Sequence, residues 1–285
     1  MKHSLIMFVG SLLFLFFAVN TSWSADISDN RPIASLSLGA EFSSGKYNSD
    51  TTTRILYMPL IVSWFPRERL DMSVELPFIY QTYAGLNSTD TATAKTVTKG
   101  WRFNQTTPTS ASSTTLVTAP SVGNASVSGV GDIVLRAGYI PLFEKGFLPQ
   151  VRTSVFAKIP TASASDGLGT GELDFGGGFD FSKWLGNLHL AEETIYNRYG
   201  GDKGSAANSL SYSATVGYQV TSSVQPMVVV KGETALSGTY DDLLEVRGRL
   251  LWNLSPTTSI DLFVSRGISK SSPDYGGGFA VIYSF

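Results

Sequence analysis

Cysteine is absent from this chain of 285 residues. Without thiols the chain has no disulfide framework, no thiolate metal site and no cysteine nucleophile. Charged residues are also scarce, at 15% of the sequence, against about 25% in an average globular protein. The formal net charge of -2 provides no basic surface for nucleic acid or for anionic lipid headgroups. We therefore expect no nucleic-acid partner, no metal and no cofactor.

Long apolar runs are also missing, except near the amino terminus. There an apolar run from Leu5 to Val19 follows a basic start and precedes a small-residue segment. This order is typical of a secretory signal, and the run is short for a membrane-anchoring helix, which needs about 20 apolar residues. We therefore predict a cleaved signal at residues 1–24, with cleavage after Ala25 as the alternative, and one mature domain at residues 25–285.

The carboxy-terminal segment shows a regular alternation of side chains. Every second residue of a strand points to the same face, and one face here carries Phe279, Val281, Tyr283 and Phe285. A soluble protein rarely ends on such a row, because an exposed apolar strand edge promotes aggregation. The pattern is typical of the closing strand of a Gram-negative outer-membrane β-barrel, and Phe285 resembles the signal read by the outer-membrane insertion machinery. The lipid bilayer and that machinery are therefore predicted partners.

Twelve alternating segments, each bounded by turn residues, follow the signal. They span residues 33–43, 53–65, 70–83, 130–141, 149–160, 172–184, 187–198, 209–220, 225–235, 242–254, 258–267 and 275–285. Each is close to the roughly 9–11 residues that a tilted strand needs to cross a bilayer. With the amino terminus in the periplasm, the external connections are long and the periplasmic ones short, as in outer-membrane barrels. We predict an all-β fold: a closed, antiparallel, transmembrane β-barrel of twelve strands in the outer membrane, with both termini in the periplasm.

One external connection is far longer than the others. Residues 87–128 are rich in serine and threonine, and they are too polar and too numerous for a periplasmic turn. We predict that this segment forms a mobile external loop. A partial plug that folds back into the barrel is the alternative.

The faces of the predicted strands distinguish a membrane barrel from a soluble β-sandwich. In the tenth segment one face carries Leu244 and Val246, whereas the opposite face is charged. An Arg or Lys on the lipid face costs about 2–4 kcal/mol at the midplane, so the charged face is expected to line the lumen. A sandwich would not need twelve strands of this length with asymmetric connections. The seventh segment stays ambiguous, because both of its faces carry a glutamate, Glu192 or Glu193.

The inward charges are our candidates for lining the lumen and setting its selectivity. They are Glu245, Arg247, Arg249, Asp261, Arg136, Arg152 and Lys158, of which the first three form the densest cluster. Two compatible interpretations remain: a salt-bridged wall that prevents collapse of the interior, and a charge constriction that selects solutes. Apolar inward positions are few, and we identify three of them, Ile79, Val134 and Phe156.

Catalytic chemistry is not indicated by the polar residues. The predicted mature chain has one histidine, His189, and the residues two positions away are Asn187 and Ala191. A serine hydroxyl needs an adjacent base to become a nucleophile, and this spacing offers no serine. The glycine triplets that begin at Gly176 and Gly276 lie within predicted strands and precede no helix. They indicate close approach of backbones and not a phosphate-binding loop. We predict a protein that is not an enzyme.

Two stretches resemble a known family of membrane proteins. The first, Gly129 to Tyr139, begins Gly-Val-Gly-Asp and is similar to a "GxGD" strand motif. The second, Lys158 to Gly178, is similar to an "lPTG…lGtG…d" block, with Ala162 at the place of the usual first glycine. These motifs resemble the phenol-degradation meta-pathway family of outer-membrane β-barrel proteins, over the chain from about residue 70 to Phe285.

The resemblance implies a transport function. The expected function is that of a channel for passive uptake of small-molecule solutes, with hydrophobic or aromatic molecules as the implied class. The alternative is a structural, surface-display or adhesion barrel without an open pore. The family brings no established catalytic residues.

Overall fold

The computed structural model describes residues 32–47, 52–86, 93–104, 107–118, 123–200, 207–234 and 242–285. The predicted signal at residues 1–24 and its cleavage site lie outside these ranges. The described strands, in chain order, are β1 (Ala34–Gly45), β2 (Thr52–Arg67), β3 (Leu70–Leu86), β4 (Thr93–Asn104), β5 (Thr107–Thr118), β6 (Gly123–Val130), β7 (Ile133–Leu142), β8 (Gln150–Ile159), β9 (Asp174–Leu185), β10 (Leu188–Tyr199), β11 (Ala207–Tyr218), β12 (Val224–Glu233), β13 (Leu243–Asn253), β14 (Thr258–Gly267) and β15 (Tyr275–Ser284).

The main sheet closes on itself into a barrel. Each strand from β7 to β15 pairs antiparallel with the next, β1 pairs with β2, and β2 pairs with β3. Closure comes from β1 and β15, whose register runs from Ser35 opposite Ser284 to Ser44 opposite Tyr275. A closed sheet has no unpaired edge. A protein that crosses a bilayer with strands needs this closure, because the bilayer offers no partner for free backbone amides and carbonyls. Within the described ranges, no helix is long and apolar enough to span a membrane.

Two of the strands share one position in the barrel wall. β3 pairs with β7 as far as Glu75 opposite Val134, and then with β6 from Phe78 opposite Val130. The break between them falls at Gly131 and Asp132, where the amide of Gly131 donates to the carbonyl of Pro77 at 2.8 Å. Proline has no amide to donate, so an interrupted ladder is expected beside it. Counting β6 and β7 once, the barrel has twelve strands, which confirms the predicted fold.

The segment 87–128, predicted as one loop, contains strands. β4 and β5 form an antiparallel hairpin outside the main sheet, and β6 begins at Gly123. The backbone of β4 approaches β2, and that of β5 approaches β10 and β11. Since β2 and β10 lie on opposite sides of the barrel, the backbone of the hairpin approaches two facing parts of the wall. The external position of this segment stays a prediction. The threonines and valines of β4 and β5 are β-branched and favour strands, a preference that their low complexity obscured.

The faces of the strands follow the predicted alternation. On β15 the side chains of Phe279, Val281 and Tyr283 are exposed on the outer face, whereas Ala280 and Ile282 are buried inside. On β13 the charged side chains are buried and their alternate neighbours lie outside. Apolar side chains outside and polar side chains inside are the arrangement expected when lipid surrounds the barrel.

The ambiguous seventh segment corresponds to β10. His189 and Glu193 are buried on its inner face, and Glu192 lies on the outer face. There the carboxylate of Glu192 accepts a hydrogen bond from the hydroxyl of Thr194. Inside, the ring of His189 stacks on Trp184, with the centroids 4.5 Å apart. Local alternation could not assign this strand because both faces carry a carboxylate, and its pairing with β9 and β11 determines the orientation.

Candidate functional site: the pore wall and its inward strap

The inner wall of the barrel is densely charged. Among the described buried residues, carboxylates outnumber cations ten to seven. Every predicted lumen candidate is buried there: Glu245, Arg247, Arg249, Asp261, Arg136, Arg152 and Lys158. A charge removed from water is tolerated when it is paired and hydrogen-bonded, and all five of these cations contact a carboxylate. Whether these residues set selectivity stays a prediction.

The densest predicted cluster is a bridge between distant strands. Arg247 on β13 donates to Glu41 on β1 at 2.8 Å and to Glu245 at 2.5 Å. To reach β1 the guanidinium passes over β14, where it lies 4.2 Å from the ring centroid of Phe263. Arg249 pairs with Asp261 on the adjacent strand β14. The two arginines are therefore neutralised within the wall, which is the salt-bridged interpretation of this cluster.

A second bridge crosses the wall near the opposite end of the strands. Arg152 on β8 donates two hydrogen bonds to Asp71 on β3, at 2.8 and 2.9 Å, and one to Asp180 on β9, at 2.6 Å. β7 lies between β3 and β8, and there Gly138 leaves room for the guanidinium. A Cβ atom added to Gly138 would lie 1.9 Å from a guanidinium nitrogen of Arg152. Charge-assisted, bidentate hydrogen bonds between arginine and carboxylate are among the strongest hydrogen bonds in proteins.

Glu75 is the centre of a third buried group. Arg136 on β7 contacts its carboxylate at 2.5 Å, and the hydroxyl of Tyr57 on β2 donates to its other oxygen. The three residues join three neighbouring strands through one carboxylate. Tyr57 was not among the sequence candidates. Both faces of β2 carry apolar residues, so the sequence did not show which face of this strand points inward.

Residues of the two family motifs meet around Lys158. Its ammonium lies 2.5 Å from Asp174 and 3.2 Å from Asp132, and it donates to the hydroxyl of Thr170 at 2.9 Å. The carboxylate of Asp132 also accepts a hydrogen bond from the backbone amide of Ala162, at 3.0 Å. The "GxGD" aspartate, the lysine before Pro160 and the final aspartate of the second block therefore form one charged node. Spacing along the chain did not indicate this convergence.

The connection between β8 and β9 folds into the barrel as a strap, defined here as residues 161–173. Gly167, Leu168 and Gly169 are buried although they belong to a connection between strands. Gly167 and Gly171 have φ values of 72° and 74°, a region that residues with a Cβ atom rarely occupy. At Gly169 an added Cβ would lie 2.8 Å from both carboxylate oxygens of Asp132. Backbone freedom and close approach thus explain the three glycines of the strap, Gly167, Gly169 and Gly171.

Leu168 is the apolar tip of the strap. It is 7% exposed and packs with Tyr47, Ile55, Tyr57 and Ile79, a set called here the mouth cluster. These four residues belong to β2, β3 and the turn after β1, on the far side of β6 from the strap. Full burial of a leucine side chain contributes about 1.5–3 kcal/mol. The side chain of Gln81 adds a hydrogen bond to the carbonyl of Gly167, at 3.3 Å.

Tyr47 closes the rim of the mouth cluster. It has a φ of 48°, which is unusual for a residue other than glycine, and its hydroxyl lies 3.1 Å from the hydroxyl of Ser43. Burial raises the pKa of the Tyr47 hydroxyl well above its usual value. The residue is therefore neutral across the physiological pH range and adds a ring to an apolar surface.

Two further apolar groups lie on the inner wall. Val134, Phe156 and Ile195 form one, and Ile61 packs with Phe263 in the other. A small cavity of about 10 Å³ adjoins Ile195, and the charged residues Glu193, Lys231 and Glu233 are among those that line it. Of the three apolar positions identified from the sequence, Ile79 belongs to the mouth cluster, and Val134 and Phe156 belong to the first of these two groups. Leu168 was missed because it lies in a connection, and its only local signal is its place between Gly167 and Gly169.

Comparison with solved structures supports the fold. An outer-membrane channel from Pseudomonas putida F1 superposes with a TM-score of 0.56 at 14% identity, over 92% of this chain and 100% of that chain. A KdgM porin gives 0.52 at 9% identity, over 88% and 99%. The translocator domain of the autotransporter NalP from Neisseria meningitidis gives 0.52 at 12% identity, over 91% of each chain. At these identities the likeness shows an outer-membrane barrel fold and no more.

Sequence comparison identifies the family. None of the curated proteins matches the chain. The profile of the family described as "Putative MetA-pathway of phenol degradation" matches residues 73–285. The matched region contains the charged node around Lys158, the strap and the closing strand β15. It covers more than half of the sequence, and the chain belongs to this family.

Proposed function

We propose that this barrel is a passive channel for uptake of small apolar molecules, aromatic ones included, across the outer membrane. The observation that carries the proposal is the composition of the inner wall. Its predicted cations are neutralised by neighbouring carboxylates, and between them lie the mouth cluster and the group of Val134, Phe156 and Ile195. Binding sites for small molecules are typically apolar with a few placed polar groups.

Family membership and fold support the same proposal. The family description names phenol degradation, and one similar barrel is described as an outer-membrane channel. A pathway that degrades a phenol inside the cell requires that the compound cross the outer membrane. Porin-type barrels let solutes pass down a concentration gradient without an energy source. The expected substrates are single-ring aromatic molecules, which fit between apolar side chains better than hydrated sugars do.

The orientation of the barrel is part of the proposal. β1 begins and β15 ends at the same end of the barrel, together with the short turns such as the β9–β10 connection at Leu185–Leu188. The strap, the β4–β5 hairpin and Tyr47 belong to connections at the opposite end. Outer-membrane barrels place long connections outside the cell, so the strap would be the first part of the lumen that an incoming molecule meets.

Uptake by cells tests the proposal. Cells that produce the protein and cells that lack it would be given labelled phenol and a labelled sugar of similar mass at low concentration. We expect the protein to accelerate phenol uptake and to leave sugar uptake nearly unchanged. Equal phenol uptake by the two strains would contradict the channel and leave a structural barrel. Cells that produce an unrelated outer-membrane barrel at the same level control for damage to the membrane.

A further inference from the structure

We propose that the strap is a gate, and that Leu168 occupies the first binding site for an apolar solute in the lumen. This inference rests on the proposed function and adds the entry site and its ligand class to it. The site is the socket that the Leu168 side chain fills: the mouth cluster of Tyr47, Ile55, Tyr57 and Ile79, with Gly129 beneath.

The socket is shaped for a small apolar group. One methyl carbon of Leu168 lies 2.6 Å from the place that a Cβ atom of Gly129 would take, so the leucine sits where the wall has no side chain. Two isoleucines and two tyrosines surround it. The Tyr57 hydroxyl is engaged with Glu75 and that of Tyr47 with Ser43. The rings therefore offer mainly their faces and edges, which attract other aromatic rings in tilted or offset arrangements.

The strap has the features of a movable element. Gly167 and Gly171 flank its buried tip with positive φ values, and glycines tolerate the large backbone rotations that loop movement needs. The tip is held to the wall by the Gln81 bond to Gly167 and by the Lys158 bond to Thr170. These are single side-chain contacts and not a strand ladder. Withdrawal of the tip would break them without disturbing the pairing of β8 with β9.

Competition for the socket would make the gate selective. A ligand shifts an equilibrium only by binding one state better than the other. An apolar solute can bind in the socket only when the Leu168 side chain has moved out, so binding of the solute favours the open state. A hydrated sugar gains no binding free energy in an apolar socket, so the gate stays closed in its presence. Selectivity for apolar molecules then follows from Leu168 and its socket and needs no wide aqueous pore.

The first test measures binding to the socket. Leu168→Ala should leave the socket partly empty and bind toluene at least about tenfold more tightly than the wild type, because the competing side chain is gone. Binding to the purified protein in detergent can be measured by saturation-transfer NMR. Leu262→Ala is the matched control, because Leu262 is an exposed leucine of β14 and its removal should not change toluene binding. Equal binding by the wild type and Leu168→Ala would contradict the socket.

The second test locks the gate. The chain has no cysteine, so Gly129→Cys with Leu168→Cys introduces one pair, and the Cβ of residue 129 would lie 3.9 Å from the present Cγ of Leu168. The sulfur that takes the place of this Cγ must lie about 3 Å from that Cβ in a disulfide, so the tip has to move by about 1 Å. Oxidation should lower toluene uptake by at least about fivefold, and reduction should restore it. The two single-cysteine variants, whose uptake should not respond to oxidation, are the controls, and heat-dependent migration in gels confirms that each variant is folded.

The outcomes separate the gate from the proposed function. No uptake of toluene by the wild type above that of cells lacking the protein would overturn the channel itself. Uptake by the wild type that the cross-link leaves unchanged would overturn the gate and leave the channel. A folded, cross-linked protein whose uptake falls and returns on reduction supports both.

Discussion

At the residue scale, the main feature of this barrel is the pairing of its buried cations. Arg152 is held by carboxylates of two strands, and Arg247 joins β13 to β1. An unpaired charge at such positions would cost several kcal/mol of desolvation. The pairs therefore do two things: they let charged side chains fill the lumen, and they connect strands that are not neighbours in the sheet.

Removal of Arg247 and Arg249 should make the lumen more selective for cations. Arg247→Gln with Arg249→Gln leaves the carboxylates of Glu41, Glu245 and Asp261 without these partners. In a narrow pore their field is little screened, so the cation-to-anion permeability ratio should rise by roughly two- to tenfold. The reversal potential in planar bilayers under a salt gradient measures this ratio.

The matched control removes one charge of each sign. Glu245→Gln with Arg247→Gln keeps the net charge of the wall and should move the reversal potential much less. An unchanged ratio in the double arginine variant would show that these residues belong to the wall and not to the path of ions. A shift toward anions would contradict the predicted sign.

At the scale of single elements, the two glycine triplets show why some positions in these strands cannot carry a side chain. In β9 a Cβ atom on Gly178 would lie 2.0 Å from the carbonyl oxygen of Thr194. In β15 a Cβ on Gly278 would lie 2.5 Å from the carbonyl oxygen of Ala40. Both contacts are with the backbone of a neighbouring strand, which cannot move without loss of the ladder. Close approach of backbones, as the sequence indicated, is the reason for these glycines.

Gly178→Ala should therefore destabilise the barrel. The added methyl group must push β9 away from β10, and overpacking of this kind usually costs about 1–3 kcal/mol. The urea concentration at which the barrel unfolds, followed by loss of heat-dependent migration in gels, should fall.

Gly248→Ala provides the comparison for this effect. Its added Cβ would meet nothing nearer than a methyl carbon of Val264 at 3.8 Å, so the unfolding midpoint should stay close to that of the wild type. Equal midpoints for the two alanine variants would show that β9 adjusts to the methyl group without loss of stability.

At the scale of the whole molecule, closure gives the barrel two different ends. One end carries the start of β1, the end of β15 and the short turns, and the other carries the strap, the β4–β5 hairpin and the turn with Tyr47. The side chains that fill the lumen at the second end come from connections as well as from strands. The proposed function requires that this end face the outside of the cell.

A protease site inserted between Asn104 and Thr107 should be cut by protease added to intact cells. β4 ends and β5 begins at these residues, within the segment 87–128 proposed to be external. The same site inserted between Leu185 and Leu188, at the opposite end of the barrel, should be cut only after the outer membrane is permeabilised. The reverse pattern in immunoblots of the two variants would mean that the barrel has the opposite orientation.

The strand pattern was predictable because it is local. Outer faces meet lipid and inner faces do not, so a period of two marks each strand wherever the faces differ, as in β13 and β15. Where this contrast is weak the alternation is uninformative: it did not orient β10, which carries a glutamate on each face, and it did not predict β4 and β5, which lie in a segment of low complexity. The inward charges could be named from alternation alone, but their partners could not.

The sequence by itself determined the barrel, its twelve strands and the residues that face inward, because each follows from side chains a few positions apart. Only the tertiary structure decided which charges meet and what closes the mouth. Arg247 and Glu41 are 206 positions apart, and Leu168 contacts residues of β2 and β3 that precede it by about 90 positions or more. Such contacts depend on the closure and register of the whole sheet, and no short stretch of the chain contains that information.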